Sequence, residues 1–130
     1  MDDTAFLSAD EQRRYARHLL LPEIGLAGQQ RLKAASVLCV GGGGLGSPLL
    51  LYLAAAGVGR IGIVDGDVVE ISNLQRQVIH SSHWLGRSKV QSAAARIDEL
   101  NPNCAVDVHE QMLSIDNVMD LVGDYDIVCD

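Results

Sequence analysis

The chain has 130 residues, 48% of them apolar and 21% charged, which is enough to bury the core of one domain and excludes a disordered, highly charged polymer. Its net charge of -7 and pI near 4.9 argue against nucleic acid as a partner, since a polyanion is bound by clustered Lys and Arg. The longest apolar run, 49–58, is interrupted by Tyr52 and Gly57 and is too short to span a bilayer; the acidic start, Met-Asp-Asp-Thr, is unlike a secretory leader and points to a cytoplasmic protein.

Ser8-Ala9-Asp10-Glu11 has the form of a capping box and predicts a helix start. Tyr15, Ala16, Leu19 and Leu20 recur at helical spacing as its apolar side, Arg13, Arg14, Arg17 and His18 fall on more open faces, and Pro22 marks the stop. A short helix follows over 29–34. Residues 1–35 thus read as an N-terminal helical segment, and 36–130 as a nucleotide-binding unit of different character.

Ser36 to Val40 is a β-branched apolar run that ends abruptly in Gly41-Gly42-Gly43-Gly44-Leu45-Gly46. A helix resumes over 47–56, where Pro48 is tolerated because the first turn has no intrahelical acceptor for an amide. Gly57 and Gly59 close it, and 60–64 is a second strand ending at Asp65. The remaining elements alternate: helix 87–100, a break at Asn101-Pro102, strand 105–109, helix 116–122 and strand 125–129. Alternating strands and helices predict an α/β, Rossmann-like, doubly wound and mainly parallel sheet preceded by N-terminal helices.

Cys39, Cys104 and Cys129 are odd in number, with no Cys-x-x-Cys pair, so neither a disulfide framework nor a zinc site is predicted. Cys39 and Cys129 lie inside apolar strands as small hydrophobes, whereas Cys104 follows Asn101-Pro102-Asn103 and is expected nearer the surface. None is assigned to catalysis.

Gly41-x-Gly43-x-x-Gly46 meets the fingerprint in which one glycine makes the turn, one admits a phosphate to the backbone, and one packs helix on strand. Alone the motif is weak, but here it follows a strand, opens a helix and is followed by Asp65, nineteen residues after Gly46. Free amides and the positive end of the helix dipole suit phosphate, and a carboxylate at the end of the second strand suits ribose hydroxyls. The fingerprint does not separate ATP from NAD. Asp67 fits a solvated loop position as well as a ligand contact.

Ser72-Asn73-Leu74-Gln75-Arg76-Gln77 is a polar, cationic segment for which hydride transfer has no use. Arg14-Tyr15-x-Arg17, Gly41-x-Gly43-Gly44-Leu45-Gly46, Asp65-x-Asp67, this hexapeptide and Gly86-x-x-Lys89 together resemble the ThiF/MoeB/HesA family, whose members are related to the adenylation domain of ubiquitin-activating enzymes. The similarity runs from about Ser8 to Asp130, and the hexapeptide is its most specific part. The resemblance implies an adenylyltransferase that uses ATP and Mg2+. In such an enzyme the C-terminal glycine carboxylate of a small ubiquitin-like sulfur-carrier protein, of the molybdopterin-synthase or thiamine (ThiS) type, attacks the α-phosphate, and pyrophosphate leaves. It implies that Gly44 and its neighbours cradle phosphate, that Asp65 binds ribose, and that Asn73, Arg76 and Lys89 contact the triphosphate. Arg17 resembles the family arginine that reaches the ATP of a neighbouring subunit, which implies a homodimer. Ser72, Leu74 and Gln75 belong to the same segment, and Ser72 and Gln75 fit either a cap of the loop or a ligand contact. His80, His83 and Trp84 read as loop packing, because no carboxylate or thiolate lies near enough in sequence to complete a metal site.

The family's fourth strand continues into Asp-x-Thr-Asp-Asn, whose second Asp is its magnesium ligand; Asp130 matches only the first and is not assigned to metal. The family's zinc-binding Cys-x-x-Cys pair is likewise not found in these residues. On that basis the 130 residues read as a fragment with an exposed sheet edge prone to self-association. Two rival readings stay open: an NAD-dependent oxidoreductase domain, favoured by the glycine loop and Asp65 alone, and a nucleotide-binding fragment without turnover.

Overall fold

The computed structural model describes residues 5–41 and 46–129; the readings placed on Gly43, Gly44 and Asp130 lie outside the described residues. Helix α1 (Ala9–Arg14) begins at Ser8. The Ser8 hydroxyl accepts from the Glu11 amide and the Glu11 carboxylate from the Ser8 amide, each at 3.1 Å, which is the predicted capping box. The helix does not run on to Pro22. It breaks at Tyr15 and resumes as one turn, α2 (Ala16–Leu19), with the Tyr15 ring drawn inward so that its hydroxyl accepts from Asn101 Nδ2 at 2.7 Å. Ala16 is therefore exposed, and Leu20, read from the spacing as a buried position, is 82% exposed. Helix α3 (Gly25–Ala34) is longer than the predicted 29–34, because Gly25 turns the chain at φ 59° and lets the helix start directly after the Pro22 break.

Four parallel strands follow: β1 (Ser36–Val40), β2 (Arg60–Val64), β3 (Ala105–His109) and β4 (Ile127–Cys129), in the order β3-β2-β1-β4. Val37 pairs with Ile61 and Ile127, and Ile61 with Val106. Helix α4 (Gly46–Ala56) crosses from β1 to β2 and α5 (Lys89–Leu100) from β2 to β3, while the short α6 (Val118–Val122) leads to β4. The doubly wound prediction holds, with α5 starting two residues later than read, at the Ser88 cap.

Alternate residues of each strand face opposite sides of the sheet. Val37, Cys39, Ile61 and Ile63 pack with Leu50 and Ala54 of α4 and Val90, Ala93 and Ile97 of α5. Leu38 and Val64 face the other way, onto Leu121 of α6. Burial on both faces is why these strands are continuous apolar runs in the sequence. Cys104 is a correction: it is 6% exposed and joins the α4/α5 core, and burial pushes its thiol up to about 11. No helix among the described residues is long and apolar enough to cross a membrane.

The N-terminal helices are fastened to this unit by buried polar contacts. Gln29, fully buried on α3, donates to the Ala56 carbonyl at 2.8 Å and pairs through its oxygen with His18 Nδ1 at 3.0 Å. Asn101 donates to Ala54 O as well as to Tyr15, both at 2.7 Å. Gly57 sits between these groups at φ 101°, where a Cβ would lie 2.3 Å from Gln29 Nε2 and 2.8 Å from the Tyr15 ring; only glycine fits the angle and the space.

Candidate functional site

The carboxyl ends of β1 and β2 lie side by side, Val40 beside Val64. β1 runs into Gly41, which adopts φ 80° and donates to the Val64 carbonyl at 2.8 Å. No atom crowds its Cα, so the backbone angle rather than packing calls for glycine there. β2 runs into Asp65, 8% exposed, whose amide bonds the His109 carbonyl at 3.2 Å and whose Oδ1 accepts from the Asp67 amide at 2.9 Å.

That turn is joined to the start of α5. The Asp67 carbonyl accepts from the Lys89 amide at 3.0 Å, Val69 N donates to Arg87 O at 2.8 Å, and Val68 pairs with Ser88 as an antiparallel bridge. The Ser88 hydroxyl accepts from the Gln91 amide at 3.3 Å and so fixes the first turn of the helix. Through these bonds the structure brings Gly41, Asp65, Asp67 and Lys89 to one end of the sheet. The Asp67 side chain is exposed. Lys89 is only 8% exposed as a residue, and among the described residues its ammonium has no hydrogen-bond or ion-pair partner, so an anionic ligand would find it unpaired.

The segment between is organised by Asn73, at the end of a 3-10 turn (Ile71–Asn73). Its Oδ1 accepts from the Glu70 amide at 3.0 Å and its carbonyl from the amides of Arg76 and Gln77 at 3.2 and 2.8 Å. Asn73 is buried, Leu74 half-buried, and Ser72, Gln75 and Arg76 exposed. The Arg76 guanidinium folds back onto the Ser72 carbonyl at 3.0 Å, so Ser72 serves the loop through its backbone. Among the described residues no contact joins Arg76 to Lys89. Arg17 lies exposed on α2 and likewise makes no described contact with Asp65, Arg76 or Lys89.

Two buried polar residues follow in the same loop. Gln77 is 4% exposed and His80 6%. The His80 amide donates to Gln77 O at 3.1 Å, and its Nδ1 lies 2.7 Å from the hydroxyl of Ser92, one turn past Lys89 on α5. His80 therefore ties the Asn73–Gln77 loop to the helix that carries Lys89. Burial lowers its basicity, the Lys89 charge lowers it further, and Asp65 opposes them. The signal available in the sequence was a His and a Ser twelve residues apart, which says nothing until the loop is folded onto the helix. His83 is exposed, and Trp84 is half-buried under the Arg87 guanidinium, 4.0 Å from the ring centroid. Among the described residues no three His, Cys, Asp or Glu side chains group as a metal site.

The site thus offers a glycine turn at the start of a crossover, a carboxylate at the end of β2, and a largely buried lysine whose ammonium has no described partner, which together suit a ribose and its phosphates. The ThiF family matches residues 15–130. The chain is 55% identical over 130 residues to the probable adenylyltransferase/sulfurtransferase MoeZ of Mycobacterium tuberculosis, covering 100% of this chain and 33% of that protein. It is 50% identical over 123 residues to a probable molybdopterin-synthase adenylyltransferase of Porphyra purpurea, covering 95% and 32%. Among solved structures, E. coli tRNA N6-threonylcarbamoyladenosine dehydratase, TcdA, in complex with ATP superimposes with a TM-score of 0.88 at 30% identity, covering 95% of this chain and 51% of that one. The chain spans about a third of the length of these curated relatives.

Proposed function

The chain belongs to the ThiF family, and from that premise we propose that it is the ATP-binding part of an adenylyltransferase that activates a small ubiquitin-like sulfur-carrier protein. The observation that carries this reading is Lys89, a nearly buried cation without a described partner, set beside Asp65 at the carboxyl end of β2. The residues suit the chemistry in named ways. Asp65 accepts from ribose hydroxyls, the glycine turn that begins at Gly41 admits the phosphates, and Asn73, Arg76 and Lys89 hold the triphosphate; Gly43, Gly44 and Gly46 share in the phosphate cradle.

In the reaction, an oxygen of the carrier's C-terminal carboxylate forms a bond to the α-phosphorus. The bond from that phosphorus to the bridging oxygen breaks, and pyrophosphate leaves with the electron pair. No proton need be removed from an ionised carboxylate, so the protein acts by positioning and by matching the charge that builds on pyrophosphate. Arg76, exposed and bonded only to its own loop, is free to swing onto that charge. Mg2+ accompanies ATP, and the described residues do not form a carboxylate cluster of their own for it. Arg17, which no described contact joins to this site, fits a role at the ATP of a second subunit in a homodimer. The likeness to a molybdopterin-synthase adenylyltransferase favours a carrier of the molybdenum-cofactor type over that of the thiamine pathway.

Carrier-dependent exchange of labelled pyrophosphate into ATP tests the reading. Exchange that requires a free C-terminal carboxylate on the carrier, and falls at least tenfold in Arg76→Ala, is expected. Exchange indifferent to the carrier's C-terminus, or none with a folded, ATP-bound chain, would overturn it.

A further inference from the structure

A nucleotide laid across the carboxyl ends of parallel strands meets them in strand order, and here that order is β3-β2-β1-β4. With the phosphates at the glycine turn after β1 and the ribose at Asp65 after β2, the base continues in the same direction. It comes to lie over the end of β3, one strand spacing of about 4.8 Å farther on. What stands there is a loop built onto the ribose turn. The His109 carbonyl, last in β3, accepts from both the Asp65 amide at 3.2 Å and the Gln111 amide at 2.8 Å. Met112 then lies across Gly66: a Cβ on that glycine would be 3.0 Å from Met112 Sδ and 3.1 Å from its Cγ.

This loop is held in shape although residues 110–112 and 114–116 are exposed. Asn117, just before α6, donates from Nδ2 to the Met112 carbonyl at 2.9 Å and to Gln111 Oε1 at 3.3 Å, and its Oδ1 accepts from the Ser114 amide at 2.8 Å. Leu113 packs onto the cluster of Leu38, Val64 and Leu121. Met112 itself is 64% exposed, so a thioether is kept against the turn that carries Asp65 while remaining open to solvent. A polarisable sulfur makes favourable contacts with aromatic rings and adapts to their shape, and a purine face has apolar area to bury. We propose that the adenine ring packs on Met112, which makes Met112 a base-binding residue. The proposal rests on the nucleotide-binding reading, from which it takes the places of phosphate and ribose.

The full chain with carbon-13 in its methionine methyl groups, titrated with magnesium-ATP and with magnesium tripolyphosphate, tests it, since the second probe lacks ribose and base. A purine stacked on Met112 shifts that methyl signal by its ring current, so the signal is expected to move with ATP and to stay in place with tripolyphosphate. By calorimetry, Met112→Ala should bind ATP about five- to tenfold more weakly and Met112→Leu should stay within about threefold of the parent, with tripolyphosphate bound equally by all three. ATP binding that leaves the Met112 methyl unmoved, with Met112→Ala as tight as the parent, would overturn the inference and leave the nucleotide reading standing. Equal losses of ATP and tripolyphosphate in Met112→Ala would also overturn it, as a disturbance of the whole site. A folded parent chain that binds neither probe would remove the nucleotide reading and this inference with it.

Discussion

The two ends of α5 treat buried polar groups in opposite ways. Past its C-terminus, Asn101 satisfies Tyr15 and Ala54 at once; nearby, Gln29 joins His18 to Ala56, and Lys33 closes onto Glu11 at 2.6 Å. At its N-terminus Lys89 has no described partner, and in the loop packed there Gln77 and His80 leave atoms unmet. The first region spends its polar groups on itself and fixes how the N-terminal helices sit. The second holds groups whose burial costs stability in the free chain. Internal satisfaction marks scaffold, and its absence at a sheet's carboxyl end marks a place built for something else.

The contrast is open to being broken. The largest effect is expected at the satisfied end: Asn101→Ala strands the Tyr15 hydroxyl, takes one of two donors from the Ala54 carbonyl, which keeps the Gly57 amide, and should cost about 2 to 3 kcal/mol in chemical denaturation, with ATP affinity of the folded fraction unchanged. A much smaller loss would mean that the network is replaceable by water. At the unmet end the sign reverses. Lys89→Met replaces a largely buried lysine without a described partner by an apolar side chain of similar length and should leave stability unchanged or raise it by about 1 kcal/mol, while weakening ATP binding at least tenfold. A Lys89→Met chain as unstable as Asn101→Ala would erase the distinction.

The pH dependence sharpens it in smaller steps. Burial pushes the Glu11 carboxyl up, but bonds from Lys33 and Ser8 outweigh it and hold the group below its ordinary 4.5. Its stabilisation is therefore present above about 4.5 and lost as acid protonates it, and Glu11→Gln should flatten that limb. His80 is held neutral, chiefly by burial and then by Lys89, whereas the unfolded chain takes up a proton near the ordinary 6.5. Stability should begin to fall as pH drops below about 6.5, and His80→Asn should remove that earlier slope from denaturation midpoints measured against pH.

Strands β1 and β2 were legible at 36–40 and 60–64 because central strands buried on both faces are largely apolar, while the partly exposed β3 was legible at 105–109 from its Val-x-Val alternation after the Asn101-Pro102 break. The capping box at Ser8 was legible because both partners lie within one turn. What was not legible depends on distant partners. Tyr15 breaks its helix to meet Asn101, eighty-six residues on. Cys104 is buried because α4 and α5 close over it. Of the site, Asp65 and Lys89 stand at one sheet end, whereas the way His80 packs its loop onto α5 through Ser92, as the loop-packing reading expected, shows its partner only in the fold.

Calorimetric titration of the chain with magnesium-ATP, with NAD as the parallel ligand and Arg76→Ala as the comparison, reaches the nucleotide site most directly. Saturable ATP binding that is lost in Arg76→Ala, with no heat from NAD, is the predicted result. Preference for NAD, or ATP binding indifferent to Arg76, would contradict it.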